Sequence, residues 1–293
     1  AVETIAELRR RGVEWVCPTT VAAPLERLRD IIEEVPPETP GFAGFHLEGP
    51  YLSPAYPGAQ PQAHLLLPSA QEFADVLGDL LPKVRIVTLA PELPGAEELI
   101  RFLYQSGVIV SAGHTDADKP VMEAAASAGL RHITHLFNAM RPFHHRDPGI
   151  VGFGLTSTIV CELIYDRVHV SRLAASLVFV AKRLSDVIAV SDGTALSGSP
   201  SGTVGRLWGR EVRVEGRAAR LPDGRLCGSV TTLPDVFQAL WQDFRESPER
   251  AVAACSLNPR RALGLPPPEM WLVVGSDGAI EEVREGNLRP PAG

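Results

Sequence analysis

Short apolar runs rich in β-branched residues alternate along this chain with stretches whose apolar positions recur at helical spacing. The pattern predicts strands over 13–20, 41–50, 84–92, 108–115, 132–138, 159–165 and 187–192. It predicts helices over 1–11, 22–35, 69–81, 96–106, 119–128 and 172–184. Ser69 can cap one helix and Gly129 can end another. Residues 51–67 read as a long loop of the kind that shapes a pocket, and 141–149 as a second loop. Repeated strand–helix units with buried strands predict a parallel sheet. The seven strand candidates fall one short of the eight that close a β/α barrel, and the chain opens on a helix. After Asp192 the texture changes. Segments 210–217 and 219–226, the second containing Pro222-Asp223-Gly224, predict a β-hairpin-like insertion. Helices are predicted over 233–244 and 248–255, then a tail hairpin over 271–283 with no strand partner elsewhere.

The chemistry gathers at predicted strand ends. Glu48 stands in His46-Leu47-Glu48-Gly49-Pro50, and His114, His135 and Asp192 each close a later strand. In a β/α barrel these ends meet on one face. A glutamate and two histidines from separate strands can hold one divalent ion, and imidazole with carboxylate suits zinc or iron. Such an ion acidifies water, which leaves Asp192 to carry a proton to a leaving group. Each residue alone has an ordinary reading: a glutamate before Gly-Pro as a turn residue, a strand-end histidine as a hydrogen-bonded core residue. Together they point to a metal-dependent hydrolase. His132 reads as structural, His64 as exposed and His144-His145-Arg146 as a solvated loop.

Composition narrows the field. With 293 residues and 45% hydrophobic content there is room for one large α/β domain. A net charge of −7 gives no electrostatic reason to expect nucleic acid or an anionic membrane as partner. A phosphorylated metabolite would need a local cationic pocket. Cys17, Cys161, Cys227 and Cys255 form no C-x-x-C pair, which favours reduced thiols and a cytoplasmic protein. No apolar run reaches membrane-span length, and residues 1–10 lack the pattern of a signal peptide.

The glutamate motif, Ala112-Gly113-His114-Thr115, Thr134-His135-Leu136-Phe137-Asn138-Ala139-Met140 and Val190-Ser191-Asp192-Gly193 resemble the N-acetylglucosamine-6-phosphate deacetylases of the amidohydrolase superfamily. Asp166-Arg167-Val168-His169, Leu226-Cys227-Gly228-Ser229 and Asn258-Pro259 with Ala262-Leu263-Gly264 are similar to weaker family segments. The resemblance implies a TIM-type barrel over 1–265 with an insertion at about 209–227, and a β-hairpin remnant of a small β-domain over 266–293. It implies hydrolysis of the N-acetyl group of N-acetylglucosamine 6-phosphate in amino-sugar catabolism. Glu48, His114 and His135 would bind one metal ion, and Asp192 would shuttle the proton. Asn138, Ala139, Arg146 and His169 would contact the sugar phosphate, with Arg146 reaching across a homodimer. Ala59, Gln60 and the segment Leu226, Cys227, Gly228 would complete the pocket. Another amidohydrolase-type deacetylase or deaminase would share the metal site without the phosphate contacts. A non-catalytic sugar-phosphate-binding remnant would bind without turnover.

Three departures stand out. Gln60 replaces a family histidine and cannot be a cation. Arg167 stands where the family has glycine. The chain begins after the point where the family supplies its first barrel strand and most of its accessory β-domain. The expected consequences are an open edge beside 13–20, Asp192 closing an edge strand, and low activity.

Overall fold

The computed structural model describes residues 1–286; residues 287–293, the end of the expected 266–293 unit, lie outside the described residues. Seven strands form one sheet in chain order: β1 (Thr19–Thr20), β2 (Phe45–Glu48), β3 (Val84–Leu89), β4 (Ile109–Ala112), β5 (His132–Ile133), β6 (Val160–Ile164) and β7 (Val187–Val190). All neighbours are parallel, in registers such as Leu47↔Val87, Val87↔Val110 and Leu163↔Ala189. β2 is buried at every position and β3 at all but Arg85, as expected for parallel strands covered on both faces.

The helices preceding and linking these strands are α1 (Val2–Arg10), α2 (Leu25–Glu33), α3 (Ala70–Leu77), α4 (Ala96–Gln105), α5 (Lys119–Ala128), α6 (Gly149–Thr156) and α7 (Arg172–Ala181). Leu28, Ile32, Phe73, Leu77, Leu99, Leu103 and Met122 join Leu47, Val87, Val110 and Ile133 in one core. Each such side chain contributes about 1.5–3 kcal/mol by leaving water. Ser69, Asp118 and Ser171 cap α3, α5 and α7 by accepting from the backbone N–H of Glu72, Val121 and Ala174. Gly95 sits at φ +85 before α4, where a Cβ would lie 2.2 Å from the Pro68 carbonyl oxygen, so the turn needs glycine.

The sheet curls. Neighbouring strands lie about 4.8 Å apart, so in a flat sheet the ends of β2 and β5 would be separated by roughly three such spacings. Glu48 and His135 instead approach to 3.5 Å. β1 and β7 are the outer strands, and among the described residues neither has a second strand neighbour in this sheet. The expected open edge is therefore present. The expected strand over 13–20 is mostly extended chain, with a single bridge from Val16 to Phe42 ahead of β1.

Other elements differ from expectation for local reasons. The strand expected over 132–138 stops at Ile133, because His135 and Phe137 take left-handed backbone at φ +34 and +80. α6 falls between the expected loop over 141–149 and the expected strand over 159–165, where the sequence pattern predicts no element; its segment is glycine-rich and buried nearly all round, so it shows no polar face. The hairpin-like insertion is a four-stranded antiparallel sheet of β8 (Val204–Leu207), β9 (Arg210–Glu215), β10 (Ala218–Arg220) and β11 (Leu226–Ser229). It has its own small core of Leu196, Leu207, Val212, Val214, Ala219 and Cys227. α8 (Leu233–Asp243) follows, then α9 (Glu249–Val252), a π-helical turn (Ala253–Leu257) and α10 (Asn258–Ala262). The tail hairpin, β12 (Met270–Val274) with β13 (Ile280–Glu285), is a separate two-stranded sheet, as its pattern implied.

Candidate metal and active site

Glu48 is the last residue of β2, and His114 and His135 follow β4 and β5. The histidines sit at φ +48 and +34, and Asp192, beyond β7, at φ +47. Left-handed backbone costs an L-residue about 1–2 kcal/mol, and such strain clusters at functional sites. Here it marks three of the four strand-end residues singled out from sequence.

His114 Nε2 lies 2.8 Å from Glu48 Oε1 and 3.2 Å from His135 Nε2. One ligand atom from each of the three residues falls within 4.8 Å of the others, and all three residues are buried. His114 Nδ1 lies 3.0 Å from the Tyr56 carbonyl. That carbonyl can only accept, so Nδ1 carries a proton and Nε2 is the ring nitrogen that faces the candidate ion site. His135 Nδ1 is buried with no hydrogen-bond partner among the described residues. Two imidazole nitrogens and a carboxylate, gathered and dry, fit a divalent ion.

The electrostatics agree with this grouping. Burial acts to raise the Glu48 carboxyl, but hydrogen bonds from His114 and His135 outweigh it and hold the group well below the usual range. Burial acts against a charged His135, yet its hydrogen bond and attraction to Glu48 push it up to about 9. Burial, then repulsion from Glu48, pushes the half-buried Asp192 up to about 7.

Asp166 is fully buried and accepts from the backbone N–H of Val168 and His169, and at 2.7 Å from His169 Nδ1. Burial raises its carboxyl, but these bonds from His169 and Val168 prevail and lower it. His169 Nε2 is thereby left for a ligand. Arg167 does adopt the glycine-like conformation, at φ +67, and its guanidinium is tied to Asp243 at 2.7 Å. The family's glycine is thus replaced by a strained residue with a compensating ion pair.

The pocket residues separate into groups. Ala59 packs against the insertion core that contains Cys227. Gly228 sits at φ +60, where a Cβ would lie 3.2 Å from the Asp192 carbonyl oxygen. Leu226 is half-buried on the same strand, β11. Asn138 folds back onto its own turn, its amide donating to the carbonyls of His135 and Leu136. Ala139 takes φ +48, and its Cβ would lie 3.2 Å from a Cβ placed on Gly58. Gln60 donates to Glu48 Oε1 at 2.8 Å and is buried. It therefore touches a carboxylate of the candidate metal site. Arg146 is not brought to these residues by a hydrogen bond: it is exposed, with its guanidinium 3.0 Å from His145 Nε2.

Sequence reasoning missed several supports. Tyr56 acts through its backbone, which leaves no residue signal. Beneath the site His46, Thr88, Thr134 and Ser111 form a buried hydrogen-bonded chain with links of 2.6–2.7 Å. Its members sit inside apolar strand runs and could be found only from strand phase. Ser229, the last residue of a weak motif, donates its backbone N–H to the Asp192 carbonyl at 2.9 Å, and Gly193 bridges to it. The turn carrying Asp192 is therefore tied to the insertion sheet through β11.

No family model matches the chain. It is 39% identical over 283 residues to the N-acetylglucosamine-6-phosphate deacetylase of Bos taurus, a match covering 91% of this chain and 68% of that protein. The chain belongs to the N-acetylglucosamine-6-phosphate deacetylase family. The Bacillus subtilis member is 45% identical over 188 residues, 64% of this chain and 47% of that protein. A mutant of the Mycobacterium smegmatis enzyme, solved in complex with N-acetyl-D-glucosamine-6-phosphate, has a TM-score of 0.89 at 30% identity, covering 96% of this chain and 77% of that one. The matches thus span about two thirds of the bovine relative and just under half of the Bacillus one.

Proposed function

We propose that this chain hydrolyses the N-acetyl group of N-acetylglucosamine 6-phosphate, giving glucosamine 6-phosphate and acetate in cytoplasmic amino-sugar catabolism. The observation that carries the reading is the convergence of Glu48, His114 and His135 beside Asp192 in a member of this family. Glu48, His114 and His135 would hold one divalent ion, zinc or iron by the chemistry of the donors. When bound, such an ion acidifies water and polarises the amide carbonyl.

The chain's own residues supply the rest. Asp192, with its carboxyl near 7, can accept the proton of the attacking water at neutral pH. It then returns that proton to the amide nitrogen as the C–N bond breaks and acetate forms. His169, oriented by Asp166, offers Nε2 to the sugar phosphate. Ala59, Asn138, Ala139, Leu226, Cys227 and Gly228 form walls around the sugar. Arg146 has an arginine fork suited to phosphate oxygens. Its exposure on the loop after Met140 favours delivery to the site of a second copy in a homodimer.

Asp192→Asn tests the central step. The variant is expected to keep metal and substrate binding and to lose about 10²–10⁴-fold in turnover. Acetate release near the parent rate would remove the proton-shuttle role.

A further inference from the structure

Segment 56–60 touches both kinds of metal ligand. The Tyr56 carbonyl fixes His114 Nδ1 at 3.0 Å. Gly58, at φ +52, packs so closely that a Cβ would lie 3.0 Å from His114 Cε1. Gln60 Nε2 donates to Glu48 Oε1 at 2.8 Å, while Gln60 Oε1 accepts from the Ala22 backbone N–H at 2.9 Å. A backbone N–H can only donate, so the amide orientation is fixed: its NH₂ must face Glu48 and its oxygen must face away. Gln60 can therefore steer Glu48 and cannot itself offer an oxygen to the ion.

The same segment is gripped from the other side by the insertion sheet. Arg225 Nη1 donates to the Gly58 carbonyl at 2.8 Å, and the Arg210 guanidinium donates to the Ala59 carbonyl. Arg225 is itself held by Asp223 at 2.6 Å. Ala59 packs on the insertion's apolar core. Three consecutive residues are thus each anchored, two to arginines of the insertion and the third to a metal-site carboxylate.

We propose that Gln60 is a positioning residue for Glu48, and that Arg210 and Arg225 set it in place, so that the insertion sheet governs how tightly the site retains its ion. The proposal rests on the reading of Glu48, His114 and His135 as the metal site. Groups that orient metal ligands commonly account for about 10–100-fold in affinity.

The test is a titration of cobalt(II) into the chelator-stripped protein, followed by visible absorption. Gln60→Met, which keeps volume and removes both hydrogen bonds, and Arg210→Ala are each expected to weaken cobalt binding about 10-fold or more and to alter its spectrum. Arg210→Lys, which can still donate to the Ala59 carbonyl, should restore most of the affinity. Arg213→Ala, an exposed change on the same sheet, should leave it unchanged. Cobalt affinities of Gln60→Met and Arg210→Ala within twofold of the parent would overturn the proposal, as would an equal loss in Arg213→Ala. If Arg210→Ala does not fold, Arg210→Met takes its place: a cobalt affinity within twofold of the parent counts against the arginine link. His135→Ala separates the two readings, since undiminished cobalt binding in that variant defeats the metal site itself.

Discussion

His135 shows how a single residue carries both legible and hidden information. Its place at the close of an apolar run marked it as a ligand, whereas its left-handed backbone and its pairing with Glu48 at 3.5 Å emerge only in three dimensions. Burial disfavours its charge, yet Glu48 raises it from 6.5 to about 9. A raised histidine stabilises the folded, metal-free protein fully below pH 6.5, and that contribution is lost as pH rises through 9. Metal binding must expel the same proton. Affinity should therefore climb with pH over this window, with about one proton released per ion at pH 7.5. Calorimetric titration in buffers of differing ionisation heat measures that count, and a value near zero contradicts the pairing. At Arg167 the identity of the residue was legible and its conformation was not. Because φ is +67, Arg167→Gly should be more stable than Arg167→Ala by about 1 kcal/mol, both variants having lost the Asp243 pair. Urea midpoints compare the two directly, and equal midpoints would deny the strain.

Among the elements, α5 was readable to its last residue because Asp118 caps it, its apolar face is periodic and Gly129 ends it. β5 and α6 were not. β5 is cut short by the turn that aims His135, and α6 has no polar stripe for a periodicity to reveal. The sequence pattern shows only two strands in the insertion because β8 is four residues long with Gly205 and Arg206 inside it, and β11 is entered through a turn. Lys182, one of only three lysines, has a role that composition could not suggest. Buried beyond α7, its Nζ donates to the carbonyls of Gly154, Ser157 and Ile159 at 2.8, 3.0 and 2.6 Å, tying α6 to the start of β6. Lys182→Met should cost about 1–3 kcal/mol by leaving those carbonyls without a partner, with metal content unchanged. A stability equal to the parent in chemical denaturation would show that they find other donors.

For the whole molecule, the parallel sheet, its seven strands and its two free edges followed from the alternation of apolar runs and helical periods. The support of Asp192 by Ser229, and the grip of Arg210 and Arg225 on the pocket loop, did not. Both depend on backbone groups meeting across more than thirty residues of sequence, where side-chain identity carries little signal. The turn carrying Asp192 is tied to the insertion sheet although β7 is an outer strand. The most direct measurement is acetate release from N-acetylglucosamine 6-phosphate by the protein loaded with zinc or iron(II), with metal content determined on the same sample. The expected result is about one ion per chain and acetate release that is faster on the phosphorylated sugar than on unphosphorylated N-acetylglucosamine. Full metal occupancy with bound sugar phosphate and no acetate would contradict the account and leave a protein that binds this ligand without hydrolysing it.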